Sequence, residues 1–446
     1  MKSKTLNMTQ GSPTKLLIIF AIPMLIGNVF QQMYNLVDSV IVGKYVGANA
    51  LAAVGATNHV SFLFFSLCNG IGSGGGIITA QQFGTGHEEN TKKSIVNAGY
   101  ILMTGSLIMG AIAFVAAKGV LGLMATPEEI MADAVLYMQM QCVGLPLVAV
   151  YNYSSSMLRA LGDSKTPLYF LVFASLLNVG LDLWFVCGFK MGVFGAALAT
   201  IIAQFVAGVG CLLYAVKCNP YFRFEKRHFK PEKRLIWGAV RMGVPLSLQF
   251  SLVAISCMGL QRVVNSFGAV VIAAFTAVSR VEQLLHQPYG TLSAALSTYS
   301  GQNLGANRID RIKLGFQKSM IMMTIFSFVM LPVMQFGGEA IISLFVNETE
   351  VIYYGALALK ITSLFYFFLG TINIIRGVLN GIGDAAFALI NGVVEVVVRI
   401  TLPILMTSMV AFGVLGIWWA AGLTWMISAF FCWLRYVSWK KKLKIT

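Results

Sequence analysis

"PLYFLVFASLLNVGLDLWFV", Pro167 to Val186, is twenty residues of almost unbroken apolar character with one aspartate near its end. At about 1.5 Å per residue a helix of this length spans roughly 30 Å, the thickness of a bilayer's hydrocarbon core. A helix satisfies its own backbone polar groups, so it crosses lipid where an open strand does not. Asp182 is then a carboxylate inside a membrane. If charged and dry it costs on the order of 2.5–3.5 kcal/mol by insertion scales. Asn178 sits one helical turn before it, on the same face.

The rest of the chain repeats the pattern, as in "SLIMGAIAFVAAKGVLGLM", 106–124. Of the 446 residues 57% are hydrophobic and 11% charged, with a mean hydropathy of +0.77. Soluble domains carry roughly 25% charged residues, so the chain reads as an all-α integral membrane protein. Spans are expected near 16–42, 50–80, 93–116, 130–155, 165–188 and 191–215, then near 236–260, 269–300, 312–336, 352–379, 385–409 and 413–437.

The net charge of +15 invites a nucleic-acid reading that its distribution removes. Lys and Arg gather in alternate connections: Lys2, Lys4 and Lys15; Lys92 and Lys93; Arg159 and Lys165; Lys217 to Arg241; Arg308 to Lys318; Arg376; Arg435 to Lys444. The intervening connections hold few cations and the acids Glu339, Glu348 and Glu350. This positive-inside pattern puts both termini in the cytoplasm of a multi-pass protein of the cell membrane, with an even number of spans. The seven cysteines have no C-x-x-C spacing and imply neither a disulfide framework nor zinc. The N-terminus resembles a signal peptide superficially but lacks a small-residue cleavage site, and is read as a retained first span.

The halves resemble each other. "LGDSKTP" (161–167) and "IGDAAFA" (382–388) align at an offset of 221 residues, which also pairs Gln81 with Gln302, Gly84 with Gly305 and Gly192 with Gly413. Each copy has an even span count, so the copies enter from the same side. The expected architecture is twelve transmembrane helices in two six-helix parallel repeats around a central cavity. The N-lobe is 1–216, a basic cytoplasmic linker 217–234, and the C-lobe 235–446.

Four acids fall within spans: Asp38, Asp182, Glu282 and Glu395. With odd-numbered spans running outward, Asp38 and Asp182 both sit roughly 8–9 Å below the outer boundary, and Thr200 about 14 Å from the start of its own span. Two carboxylates close together in a low dielectric cannot both ionise cheaply. Asp38, Asn178, Asp182 and Thr200 are therefore expected to take up a proton or bind Na⁺ through oxygen atoms. The alternative is a set of buried helix–helix hydrogen bonds. At the repeat offset these positions become Gly259, Arg399, Pro403 and Ala421, so the architecture is duplicated and the polar cluster is not. In the second half Glu395 and Arg399, spaced i, i+4, either pair with each other or line a substrate cavity. Glu282, with His286 one turn on, either lines that cavity or pairs with Arg280, Arg399 or His286.

The opening "IPMLIGNVFQQMYNLVDSVIVGKYVG", the ends of the second and eighth spans including "SGQNLGA", and "LRALGDSKTP…LNVGLDL" resemble the multidrug and toxic compound extrusion (MATE) family over nearly the whole chain. The resemblance implies a two-lobed, cation-coupled antiporter that exports amphipathic, often cationic, drugs and toxins by alternating access. Asp38, Asn178, Asp182 and Thr200 match an N-lobe pattern of the family's DinF-like branch. Pro23 matches a first-helix proline of that branch, where a protonation-linked bend has been proposed; a static kink is the other reading. The seventh and tenth spans lack the acids of the NorM-like branch. A lipid or lipid-linked-saccharide flippase of the same broader superfamily is the second functional reading, weakened by the scarcity of intramembrane cations (Arg280, Lys360, Arg399).

Other signals point elsewhere than catalysis. "GIGSGG", 70–75, matches a dinucleotide motif but has no strand before it, so close helix packing is expected. No Walker A sequence, nucleophile constellation or metal-ligand spacing of histidines is present, and neither an enzyme nor a cofactor beyond the coupling ion is expected. Asp163 and Asp384 each follow a glycine and are expected to cap helices. The partners expected are small molecules and the bilayer, without nucleic acid or an obligatory protein partner.

Overall fold

Helices build the whole of the computed structural model, which describes residues 5–123 and 126–442; Lys2, Lys4 and Lys444 of the charge pattern lie outside them. The first half holds α1 (Pro13–Tyr45), α2 (Ala48–Gly84), α3 (Glu88–Leu123), α4 (Glu128–Ala160), α5 (Lys165–Asp182) and α6 (Gly192–Cys218). The second holds α7 (Lys233–Asn265), α8 (Ala269–Gly305), α9 (Ile309–Ile342), α10 (Thr349–Ser363), α11 (Tyr366–Gly381), α12 (Ala385–Ser408) and α13 (Gly416–Lys442). Among the described residues there is no strand. Among the described residues ten helical segments are each long and apolar enough to cross a bilayer, and α10 with α11 qualifies as an eleventh, bent by 53°. With the 37-residue α2, the described residues hold twelve helical segments, consistent with a twelve-span bundle.

The repeat register holds in the helix boundaries. α2 and α8 are each 37 residues long and begin at Ala48 and Ala269, the offset found in the sequence. At the same offset the ends of α4, Glu128 and Ala160, meet the start of α10 at Thr349 and the end of α11 at Gly381. The tenth span therefore differs from its counterpart by a break at Leu364 and Phe365, where one continuous helix was expected. The amide of Gln335 on α9 donates to the Lys360 carbonyl (2.8 Å) and the Ser363 hydroxyl (3.0 Å), which compensates the interrupted ladder. The fifth span also departs from a plain helix: directly after Asp182 it widens into a π-helix, Leu183–Gly188.

The chain divides into two compact units. The first comprises Met1–Gln10, Ile19–Ser251 and Gly301–Arg308. Its centre is α4, packed against α2, α3 and α6 through small residues such as Ala53, Ala113, Ala117 and Ala134. Small side chains let helix backbones approach, the main source of packing energy where lipid is as apolar as the protein. The glycine run of α2 serves this end: a Cβ on Gly74 would lie 2.5 Å from the Gly243 nitrogen of α7, and one on Gly70 would collide with Ser247. The linker is folded rather than loose, with Phe222 buried among Ile95, Met157, Leu158, Cys211 and Ala215.

The second unit comprises Gly11–Ile18, Leu252–Ser300 and Ile309–Thr446. Here α9 packs on α10 and α11, and α13 on α11 and α12. The two expected caps diverge. Asp163 accepts from the Lys165 and Thr166 amides (3.1 and 3.0 Å) as a cap does. Asp384 caps nothing with its side chain, because Arg435 on α13 takes its carboxylate at 2.7 Å.

Candidate functional site

Four helices of the first unit each contribute polar side chains one turn apart to a single place. Asp38 on α1 is half-buried, and Asp182, the last residue of α5, is fully buried, as is Asn178 before it. The two carboxyl groups face each other as direct neighbours. Asn178 Nδ2 lies 3.4 Å from Thr200 Oγ1 on α6, and that hydroxyl donates to the Ala196 carbonyl at 3.1 Å. The structure therefore brings all four residues of the expected N-lobe cluster together.

The sequence reading missed Tyr34, Tyr137, Gln141 and Gln204. Gln204 Nε2 lies 3.4 Å from the Tyr34 hydroxyl, and Tyr137, beside Gln141, stands within electrostatic reach of both acids. A signal for them existed: Tyr34–Asp38, Tyr137–Gln141, Asn178–Asp182 and Thr200–Gln204 are all i, i+4 pairs inside apolar spans.

The electrostatics of the cluster turn on its acceptors. Asp38 Oδ1, Asn178 Oδ1 and both oxygens of Asp182 are buried and receive no hydrogen bond from the protein. Ionised carboxylates only accept, so two of them side by side cannot satisfy each other. A proton on one, or a hard cation ligated by the group, resolves both the repulsion and the missing donors.

In the second unit the acids separate into two kinds. Glu395 is clamped, with Arg376 Nη2 at 2.6 Å from Oε2 and Arg399 Nη2 at 2.5 Å from Oε1. The carbonyl of Asn391, in the orientation that satisfies both partners, accepts from Arg376 at 2.6 Å, and Arg399 Nη1 lies 3.4 Å from Cys257 Sγ. Arg376, counted from sequence among the loop cations, is thus a buried ion-pair partner within α11. Glu282 Oε1 and His286 Nε2 are buried without a hydrogen-bond partner. Thr362 and Tyr366, flanking the break between α10 and α11, neighbour Glu282, and the indole of Trp425 lies 5.9 Å from the His286 ring and 6.3 Å from that of Tyr366.

The repeat offset maps this second group onto the first unit. Glu282, His286, Thr362 and Tyr366 correspond to Ser61, Phe65, Gln141 and Leu145. Those residues, with Phe64, Met138 and Cys142, line a narrow cleft between α2 and α4. One niche of the fold is thus an apolar cleft in the first copy and carries a carboxyl, an imidazole and a phenol in the second.

With this geometry established, comparison with known proteins gives a consistent picture. The MatE family model matches twice, over residues 23–184 and 245–405. Among curated proteins, the chain is 31% identical over 442 residues to the probable multidrug resistance protein YpnP of Bacillus subtilis, covering 98% of each chain. It is 28% identical to the probable multidrug resistance protein YoeA of the same organism, covering 95% of this chain and 94% of that one. Among solved structures, a MOP superfamily transporter from Pyrococcus furiosus superposes with a TM-score of 0.91 at 23% identity, covering 100% of both chains.

Proposed function

The chain belongs to the multidrug and toxic compound extrusion (MATE) family, and on that footing we propose that it is a multidrug efflux antiporter driven by H⁺ or Na⁺. The observation that carries the coupling reading is the set of four buried acceptor oxygens on Asp38, Asn178 and Asp182 that no protein group donates to. A cation or proton arriving there removes a buried repulsion, and this differential stabilisation is what lets an ion gradient drive a conformational equilibrium. Duplication favours two lobes, 1–216 and 235–446, joined by the 217–234 linker, with the ion site in the first alone. Both termini lie in the cytoplasm and the protein resides in the cell membrane.

In the cycle proposed, external H⁺ or Na⁺ binds at Asp38 and Asp182 and rearranges the first lobe. Substrate leaves outward, and the lobes rock back to load from the cytoplasm. Pro23, buried within α1, cannot donate to the carbonyl one turn before it, so the helix ladder is weakest there and the bend is hinged at that point. Glu282 and His286 face the substrate, a carboxylate attracting a cationic amphipath. Glu395 and Arg399, locked with Arg376, form the rigid wall beside them. No obligatory protein partner enters this cycle.

The test is efflux of a fluorescent cation from reconstituted vesicles under an imposed pH gradient and, separately, a Na⁺ gradient. Wild type is run beside Asp38→Asn and Asp182→Asn. Transport under one gradient, lost in both variants, supports the site and identifies the ion. Wild-type rates in both variants would remove the N-lobe assignment. A wild type that moves no cation under either gradient would bring the flippase reading forward.

A further inference from the structure

The transport cycle leaves the beginning of α7 unused, and its first turns carry a second arrangement. Arg234, Trp237 and Arg241, spaced i, i+3 and i+7, share one helix face. All three are exposed, Trp237 by 65%. Further along the same face come the exposed Val244 and Leu248. The opposite face is committed to the protein: Ala239, Gly243 and Ser247 are buried against α2. The exposed stripe therefore runs from charge, through an indole, to aliphatic side chains. A phospholipid presents the same order of chemistry from headgroup to acyl chain.

The cations of this stripe lack counter-ions. Among the described residues no acid pairs with Arg234 or Arg241, although Arg241 lies about 12 Å into a helix that enters the bilayer. Of the acids around the linker, Glu225 holds Arg227 at 2.9 Å, Glu89 holds Lys93 at 3.6 Å and Arg227 at 3.4 Å, and Glu88 holds Lys92 at 2.6 Å. Glu232, two residues before Arg234 in sequence, does not pair with either arginine of the stripe. Lys230 and Lys233 beside the stripe are also exposed.

These charges stand on a fixed scaffold. The Tyr100 hydroxyl donates to the Phe229 carbonyl (2.8 Å), the Glu232 amide to Asn97 Oδ1 (2.8 Å), and the Glu225 amide to His228 Nδ1 (2.8 Å). The linker is thereby tied to α3, so its cations are pre-positioned and not carried on a free tether.

An unpaired arginine within a membrane-facing stripe reaches for an anion at the interface. The guanidinium fork matches a phosphate, and an indole beside it is the usual anchor at headgroup depth. We propose that Arg234, Trp237 and Arg241 form a binding site for one anionic phospholipid. Its phosphate is held by the two guanidinium groups with Lys230 and Lys233 at the rim, and its acyl chain lies along Val244 and Leu248.

The test uses the purified full-length protein in detergent, titrated with phosphatidylglycerol, phosphatidylcholine or glycerol phosphate and read by native mass spectrometry. Phosphatidylglycerol is expected to be retained over phosphatidylcholine. Arg234→Gln with Arg241→Gln should weaken retention about tenfold or more, whereas Arg234→Lys with Arg241→Lys, which keeps the charge but loses the guanidinium fork, should weaken it less. In a second readout, phosphatidylglycerol with brominated chains should quench tryptophan fluorescence in wild type and less in Trp237→Phe, which bears on the site even if the glutamine variant fails to fold. Equal retention of the two lipids, undiminished retention in a folded glutamine variant, or quenching indifferent to Trp237 would overturn the proposal. Glycerol phosphate binding as tightly as the lipid would overturn it too, by making the site one for free phosphate.

Discussion

Gly84 and Gly305, the same position in the two copies of the repeat, stand against each other at the ends of α2 and α8. A Cβ on Gly84 would collide with the Gln302 carbonyl, and one on Gly305 with the Gln81 carbonyl while lying 3.1 Å from the Gly84 Cα. The obstacles are backbone atoms, so no side chain can swing aside. Gly84→Ala or Gly305→Ala must separate these helix ends. Each is expected to lower stability by about 1–3 kcal/mol, the usual range for overpacking, seen as a reduced Tm in detergent. Gly86, whose added Cβ would meet nothing, is a poor control because its φ of +77° itself favours glycine. Gly55, unobstructed and within α2, is the control, and Gly55→Ala should leave Tm unchanged or raise it.

Asp38→Asn and Asp182→Asn should separate folding from coupling. An asparagine amide supplies the donor that the facing carboxylate lacks, so neither variant should lose thermal stability, and Asp182→Asn should gain slightly. Gradient-driven transport should fall about tenfold or more in each. The double variant should be no worse than the poorer single one, because the two groups act as one site and their effects are not additive. Additive losses from the two substitutions would separate the acids into independent roles.

What was legible in the sequence follows from contrast. A carboxylate or amide in a twenty-residue apolar run stands out, so Asp38, Asn178, Asp182 and Thr200 could be picked from spacing and depth, and the helix register from one offset. Tyr34, Tyr137, Gln141 and Gln204 carried only the weaker signal of i, i+4 pairing, because tyrosine and glutamine also occur in spans as ordinary packing residues. Arg376 read as a loop cation because it lies one turn and a half before the turn at Gly381; its partner Glu395 comes from another helix. The break at Leu364–Phe365 carries neither proline nor glycine, and what compensates it, Gln335, lies on α9. In each case the deciding contact is tertiary.

The segment before α1 should be held by one glutamine. Gln302 accepts from the Met8 amide (2.9 Å) and donates to the Ala160 carbonyl (2.9 Å), and Asn303 Nδ2 reaches the Met8 carbonyl at 3.2 Å. Gln302→Ala leaves a buried donor and a buried acceptor without this partner, a loss of about 1–3 kcal/mol. Hydrogen exchange at Met8 and neighbouring amides should speed up by a factor of about ten or more, with amides in α5 unaffected. Unchanged protection at Met8 would mean the segment is held by its other contacts.

Glu395 should matter for stability more than for charge selectivity. Two guanidinium groups share its carboxylate, and the side chains of all three are largely buried, Glu395 at 7% exposure and each arginine at 14%. Removing the acid leaves two buried cations facing each other, so Glu395→Ala is expected to cost about 3–5 kcal/mol. Arg399→Met alone should cost less, because Arg376 still neutralises Glu395. The pair Glu395→Leu with Arg399→Met should recover part of the loss, since replacing a buried ion pair by apolar groups is often near neutral. Thermal unfolding of the series in detergent checks the ordering, and a Glu395→Ala variant as stable as wild type would show that the clamp contributes nothing to the fold.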